Sequence, residues 1–461
     1  MADDLIEAHE PAEDDYKLER SVISAVYAAI EAMDANAIDV ALDPLHPADI
    51  ADLLEQISSG ERRALLGLWS MGIDGEVLSE LDENLREEVI GYLPEGVLSE
   101  AVRELDSDDV VDLVEDMEDL NQERILGALT DVDRVAVELA LSYPEYSAGR
   151  LMQRELVVAP EHWNVGQTID FLRREDNLPE QFYHVILVNP AYHPTGNVTL
   201  GKLLGSPRAT KLTSIVEETF RTIPVKQPEE DVAYAFNQYH LISAPVVDED
   251  ERLVGVITID DAMVVLDDEA EEDILRLAGV SGEESLSDRT LETVRQRLPW
   301  LGVNLLTAIL ASVVIAQFEE ILTQIVALAV LMPIVASMGG NAGTQSLTVA
   351  VRAMATRDLT GSNVWRVVRR EAFAGLFNGL IFAVIMGVVG FLWFGTPMLA
   401  VVIAVAMVVN MVVAALAGIL IPIGLEKLGV DPALASGAFV TTVTDVVGFF
   451  AFLGLAAVLL V

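Results

Sequence analysis

Between Leu298 and Val461 the chain carries five apolar stretches, each with the roughly 20 residues that a helix needs to cross a bilayer. Leu298–Phe318 and Ile321–Val351 hold no charge and are parted by Glu319 and Glu320. Ala372–Phe394 and Met398–Leu425 are parted by the short turn Gly395-Thr396-Pro397. Pro432–Val461 contains a single charge, Asp445. Lipid offers no partner for backbone N–H and C=O groups, so these stretches are expected to form an α-helical membrane domain of five spans over residues 298–461.

Charge is segregated along the chain. The membrane third holds six basic and seven acidic side chains, whereas the residues before it hold 22 basic and 66 acidic ones. Two readings of this acidity stay open. One is a solvated surface adapted to high salt, a halophilic trait in keeping with only five lysines and no cysteine. The other is a surface that senses hard cations through carboxylate oxygens. Either way nucleic acid is excluded as a partner by repulsion. The lack of cysteine excludes disulfides and thiolate metal sites. The opening MADDLIEAHEPAEDD has no apolar core and does not read as a cleavable signal.

Basic residues in short flanks set orientation. Arg289, Arg295 and Arg297 precede the first span, Arg352–Glu371 carries five arginines, and Lys427 lies in the next even-numbered loop. The odd-numbered loops carry none, so the N-terminus is expected in the cytoplasm and the C-terminus outside the plasma membrane.

Polar groups inside spans are costly and usually functional. Asp445 lies near the middle of the last span; the plainer alternative is a protonated or hydrogen-bonded structural carboxyl. Met332–Ser346 reads MPIVASMGGNAGTQS, where Pro333, Gly339, Gly340 and Gly343 weaken a helix and suggest broken backbone along a cavity. The same small residues would also suit close helix packing. Asn341 and Gln345 are four apart and would share a face of a helix. Asn410 adds a further amide in the fourth span, followed by Ala414, Ala415, Gly418 and Pro422. One carboxylate among amides suits Mg2+, which sheds water reluctantly and is held through few carboxylates.

Upstream, an acidic segment over residues 1–40 is expected to fray. An all-α superhelical domain is expected over 41–146, on the evidence of a repeat: Leu45–Glu55 and Leu105–Glu115 share L-x-x-x-D-[IV]-x-D-L-x-E at a spacing of 60. Asp109, Asp112 and Asp116 fall on one helical face, a metal-sensing candidate or simply a solvated one. From about Ser147 short β-type runs alternate with helices. Tyr183–Val188 and Gly196–Leu200 recur as Ala244–Asp248 and Leu253–Asp261, a duplicated α/β unit that resembles a tandem pair of CBS domains over 147–210 and 211–270. In such pairs a G-h-x-T-x-x-D pattern can hold a nucleotide ribose. Thr258 and Asp261 fit it, while Thr199 lacks the matching Asp, so ATP or another adenine nucleotide is a candidate cofactor. A crowd of acids, Asp267, Asp268, Glu269, Glu271, Glu272 and Asp273, leads into the connector over 271–297.

Together these features resemble the MgtE family of Mg2+ channels and transporters over residues 40–461. The motifs are SYPEYSAGRLM (Ser142–Met152), the CBS pair, FEEILTQI followed by MPIVASMGGNAGTQS, and GVDPALASGAFVTTVTDVVGF (Gly429–Phe449). The resemblance implies a homodimer with its pore on the two-fold axis, a connecting plug helix, and closure by cytosolic Mg2+. It implies a pore-binding role for Asp445, beside Gly340, Asn341 and Gln345. It implies regulatory ligands among Glu230, Asp248, Asp261, Glu272 and Asp273, opposed by Asp109, Asp112 and Asp116. Members often have an Asn-Pro pair eight residues before the aspartate, where this chain has Gly437-Ala438. The competing functions are an H+- or Na+-coupled divalent-cation transporter and a membrane-anchored nucleotide sensor. No enzyme is expected: the sequence has no phosphate-binding loop, no nucleophile with a base, and only scattered histidines.

Overall fold

The computed structural model describes residues 18, 20–69, 72–115, 117, 119–175, 178–179, 181–282 and 290–460. They divide into two compact units that meet after Leu266.

The first unit begins with short helices of about ten residues, from Arg20–Ala32 to Asp131–Ala140. Side-chain caps start many of them: Asp34, His46, Ser58, Asp74 and Thr130 each accept a backbone N–H of the first turn. The two repeat copies become the helices Pro47–Gln56 and Ser107–Glu115. Their matching apolar positions, Ile50, Ala51, Leu53 and Leu54 against Val110, Val111, Leu113 and Val114, are all buried in one core. Acidity alone suggests a fraying lead-in before residue 40. Instead the described part folds from Arg20, because Val26, Ala29, Ile38 and Leu42 recur at helical spacing and join that core.

The two CBS-like copies follow with identical topology. In the first, β1 (Val157–Pro160) runs parallel to β2 (His184–Val188), which pairs antiparallel with β3 (Pro194–Thr199). In the second, β4 (Ile223–Pro224), β5 (Ser243–Val247) and β6 (Leu253–Thr258) repeat that order. Each hairpin is closed by a side chain folded onto its own turn. Asn189 Oδ1 accepts from Ala191 and His193 N–H, and Asp248 Oδ1 accepts from Asp250 (2.9 Å) and Arg252 (2.8 Å). His184 and Ser243 open the central strands and meet across the copies, with Nδ1 and Oγ 2.6 Å apart. Burial pushes the His184 imidazole below its usual pKa.

The helix Ile259–Leu277 continues past β6, ending where Gly279 takes φ +80° and Val280 N–H reaches back to Leu275 O. The connector is therefore not one helix over 271–297 among the described residues.

In the second unit five helices are long and apolar enough to cross a membrane. They lie within Thr290–Ala316, Val326–Ala355, Val364–Phe394, Pro397–Lys427 and Pro432–Leu459, taken below as the first to fifth spans. The fourth is the hub, packed against the second, third and fifth. The expected break at Met332–Ser346 is absent: the second span is continuous helix, and the interruption falls earlier, at Ile325, after the short helix Glu319–Gln324. Close packing explains it. The glycines receive neighbouring helices: a Cβ on Gly418 would lie 2.5 Å from Gly343 O, and one on Gly375 would lie 2.8 Å from Met411 O.

Candidate ion pathway and metal centres

Two close approaches fix how the second and fifth spans lie against each other. Gly343 faces Val440 and Thr444, so that a Cβ there would meet Val440 Cγ1 at 2.5 Å. Gly339 and Gly448 both face the amide of Asn410. Gly343 thus lies against the turn that carries Val440 and Thr444, an antiparallel arrangement that puts Asp445 at the depth of residues 338–342. Gly340 and Asn341 fall at that depth, and Gln345 lies one turn beyond Asn341.

Asp445 is half-buried next to the fully buried Thr444, whose hydroxyl donates to Thr441 O at 3.0 Å. Among the described residues no cation or hydrogen-bond donor reaches its carboxylate. Asn341 and Gln345 do share a face, and both are exposed on the surface of the single chain; Gly340 is half-buried. Asn410 does not join them. It is 0 % exposed, and its Nδ2 donates to Val335 O at 2.7 Å. A mid-membrane carboxylate beside an exposed amide face can attract a hydrated cation and accept hydrogen bonds from its water shell.

In the first unit the helix Ser107–Glu115 is fastened to residues 150–155. Arg150 pairs with Glu115 at 2.9 Å, and Ser107 Oγ donates to Glu155 at 2.8 Å. Gln153 in turn exchanges backbone hydrogen bonds with Val256 of β6. This brings Asp108 and Asp109 to Asp261, in the first turn of the helix after β6, with Asp106 close by. Burial first, then the neighbouring Asp261, pushes Asp108 well above the usual carboxylate range. The same two causes push Asp109 up to about 7. Burial pushes Asp261 up to about 6, against the Thr258 hydrogen bond that lowers it. Asp108, Asp109 and Asp261 are thus carboxyls crowded together, each raised by burial. Among the described residues, no three carboxylate or imidazole side chains form a group arranged to hold a metal ion.

The other sequence candidates are distributed elsewhere. Asp112 is ion-paired with Arg86 at 2.7 Å. Asp248 braces its hairpin, Glu230 is exposed on the first turn of the helix Glu229–Tyr239, and Asp116 lies outside the described residues. In the second unit Glu272 is ion-paired with Arg276, and Asp273 beside it is half-buried. Thr258 and Asp261 are engaged with each other: Thr258 Oγ1 donates to Asp261 Oδ2 at 2.6 Å, and the Thr258 N–H donates to the same oxygen. Sequence reasoning missed Asp106 and Asp108. A signal was available at Asp108, because the position that is the half-buried Ala48 in the first repeat carries a carboxylate in the second, and that carboxylate is buried.

Comparison with known proteins follows the same divisions. Residues 332–455 match the family described as MgtE, divalent cation transporter; residues 45–146 match the MgtE intracellular N domain; residues 213–268 match the CBS domain. The chain is 32 % identical to the magnesium transporter MgtE of Thermus thermophilus over 448 residues, covering 96 % of this chain and 99 % of that one. It is 28 % identical to the magnesium transporter MgtE of Bacillus subtilis over 415 residues, covering 90 % and 92 %. Among solved structures it is similar to the cytosolic domain of the Mg2+ channel MgtE in complex with ATP, with 29 % identity and a TM-score of 0.49 over 53 % of this chain and 99 % of that one. An all-helical domain, a CBS pair and five apolar spans with these matches make it a multi-pass membrane protein, and the chain belongs to the MgtE family of divalent cation transporters.

Proposed function

We propose that this chain passes Mg2+ across the plasma membrane into the cell, along a pathway whose membrane-embedded ligand is the Asp445 carboxylate. The observation that carries this reading is the position of Asp445. It is half-buried in an apolar helix, it meets no cation or donor among the described residues, and it lies at the depth of the exposed amide of Asn341, one turn from that of Gln345. Mg2+ keeps most of its water shell, so the carboxylate supplies charge while the amides and Gly340 backbone hydrogen-bond the shell. Gly437-Ala438 contributes no side-chain oxygen to that shell.

A homodimer completes the pathway. Asn341 and Gln345 are exposed on a helix that crosses the membrane, where lipid would leave their amides unpaired. A second copy seated on that face covers them and doubles the carboxylate. The basic flanks support an N-terminus in the cytoplasm and a C-terminus outside.

Cytosolic Mg2+ closes the pathway through the Asp106, Asp108, Asp109 and Asp261 cluster. Without metal Asp108, Asp109 and Asp261 repel or stay protonated; a bridging cation removes that penalty and draws the helix Ser107–Glu115 toward the second CBS copy. Glu230, Asp112 and Asp248 act outside this cluster, as structural pairs or peripheral charge.

Proteoliposomes loaded with a Mg2+-sensitive dye test the reading. Mg2+ should enter down its own gradient at a rate unaffected by imposed pH or Na+ gradients. Entry that follows either of those gradients would establish the coupled transporter instead, and no entry would remove the transport reading altogether.

A further inference from the structure

Asn410 is fully buried in the fourth span, yet its amide is only half used. Nδ2 donates to Val335 O at 2.7 Å, while Oδ1 has no partner among the described residues. The two ends of the amide cannot be exchanged, since that would turn a carbonyl oxygen onto the Val335 carbonyl. Burying an acceptor without a donor is costly, and an apolar residue of similar size would hold helices together without that cost.

The surroundings show what the amide does. A Cβ on Gly339 would lie 2.2 Å from Nδ2, and one on Gly448 would lie 2.9 Å from Nδ2 and 3.0 Å from Oδ1. The amide is therefore gripped between bare glycines of the second and fifth spans. Gly448 is one turn past Asp445, and Gly339 immediately precedes Gly340 and Asn341. We infer that Asn410 is a positioning and specificity-determining residue: its hydrogen bond to Val335 and its seat between Gly339 and Gly448 hold Asp445 at fixed depth against the amide face of the second span. The inference rests on the ion-pathway reading above. Mg2+ demands stricter geometry than Ca2+, so loosening this seat degrades discrimination before it degrades the fold.

The test is uptake kinetics in proteoliposomes for Asn410→Ala, Gly448→Ala and the double variant, with Asp445→Asn in parallel. Asn410→Ala should raise the apparent KM for Mg2+ by about tenfold and increase Ca2+ uptake relative to Mg2+. Gly448→Ala should lower the melting temperature, because its new methyl collides with the amide. Adding Asn410→Ala makes room, so the double variant should regain the melting temperature but keep the raised KM. If both Asn410 variants show the wild-type KM and Mg2+/Ca2+ ratio, even at reduced yield, Asn410 is a packing residue and the inference fails. Undiminished uptake by Asp445→Asn would instead sink the pathway reading on which it stands.

Discussion

Arg276, in the last turn of the helix Ile259–Leu277, is ion-paired with Asp431, the N-cap of the helix that carries Asp445. Asp431 divides its oxygens: Oδ2 takes the guanidinium, and Oδ1 accepts the Ala433 N–H at 2.7 Å. Glu272 holds the same guanidinium, and Leu277 packs with Leu347, Val351, Ala433 and Val440. The end of the helix Ile259–Leu277 is thus fastened to the first turns of the fifth span.

If closure reaches the pathway through this contact, Arg276→Ala should weaken inhibition by cytosolic Mg2+ while leaving uptake at low Mg2+ intact. Asp431→Asn keeps the capping oxygen and loses the charge, so it should behave alike. Asp431→Ala adds the loss of a helix cap, worth about 1 kcal/mol, and should also lower the melting temperature. Patch-clamp open probability against cytosolic Mg2+ checks this; unaltered inhibition in Arg276→Ala would rule the contact out as a coupling element.

The architecture was legible where one periodicity dominates. Five long apolar runs became five helices, and the Leu45 and Leu105 repeats became equivalent buried helices. The second span was misjudged because the cost of Pro333 and three glycines depends on what packs against them. Gly339 receives Asn410 and Gly343 receives Val440, partners about 70 and 100 residues away that no local pattern reveals. The same holds for Asp108 and Asp261. The sequence marks Asp261 as a ribose-motif and regulatory candidate but does not single out Asp108, and only the docking of Ser107 and Glu115 onto residues 150–155 brings the two together.

The crowded carboxyls predict a pH dependence of defined sign. Asp109 at about 7 and Asp261 at about 6 lie above the 3.8 of an ordinary Asp. Through that window the folded chain binds more protons than the unfolded one, so stability falls as pH rises from about 4 to about 7. Mg2+ competes with those protons, and its stabilising effect should be larger at pH about 8 than at about 5. Melting curves of the full chain in detergent, with and without Mg2+, measure this. An equal Mg2+ shift at both pH values, or an undiminished one in Asp108→Asn with Asp261→Asn, would contradict the assignment.

Helix packing in the membrane unit predicts a contrast between two glycines of the fourth span. A methyl on Gly418 would lie 2.5 Å from Gly343 O and 2.7 Å from Ser346 Cβ, whereas one on Gly424 meets nothing within 4 Å. Gly418→Ala should cost about 1–3 kcal/mol through overpacking, and Gly424→Ala should be neutral or slightly stabilising. Thermal unfolding in detergent distinguishes them, and equal melting temperatures would show that the second and fourth spans are less closely packed than described.

If the acidic unit closes the pathway as proposed, a net charge of −45 should make closure sensitive to salt. Repulsion among exposed carboxylates is screened over about 8 Å at physiological ionic strength and about 3 Å at 1 M. Closure should then depend less steeply on Mg2+ at high KCl. Dose–response curves for open probability at low and high KCl that overlay would exclude this.

The role of Asp445 is tested most directly by initial rates of Mg2+ uptake for wild type, Asp445→Ala and Asp445→Asn, at matched amounts of folded protein in the same liposomes. Asp445→Ala should abolish uptake, and Asp445→Asn, which keeps the shape and loses the charge, should reduce it by at least about tenfold. Wild-type rates in both variants would contradict the account, because the ion would then cross without its membrane-embedded carboxylate.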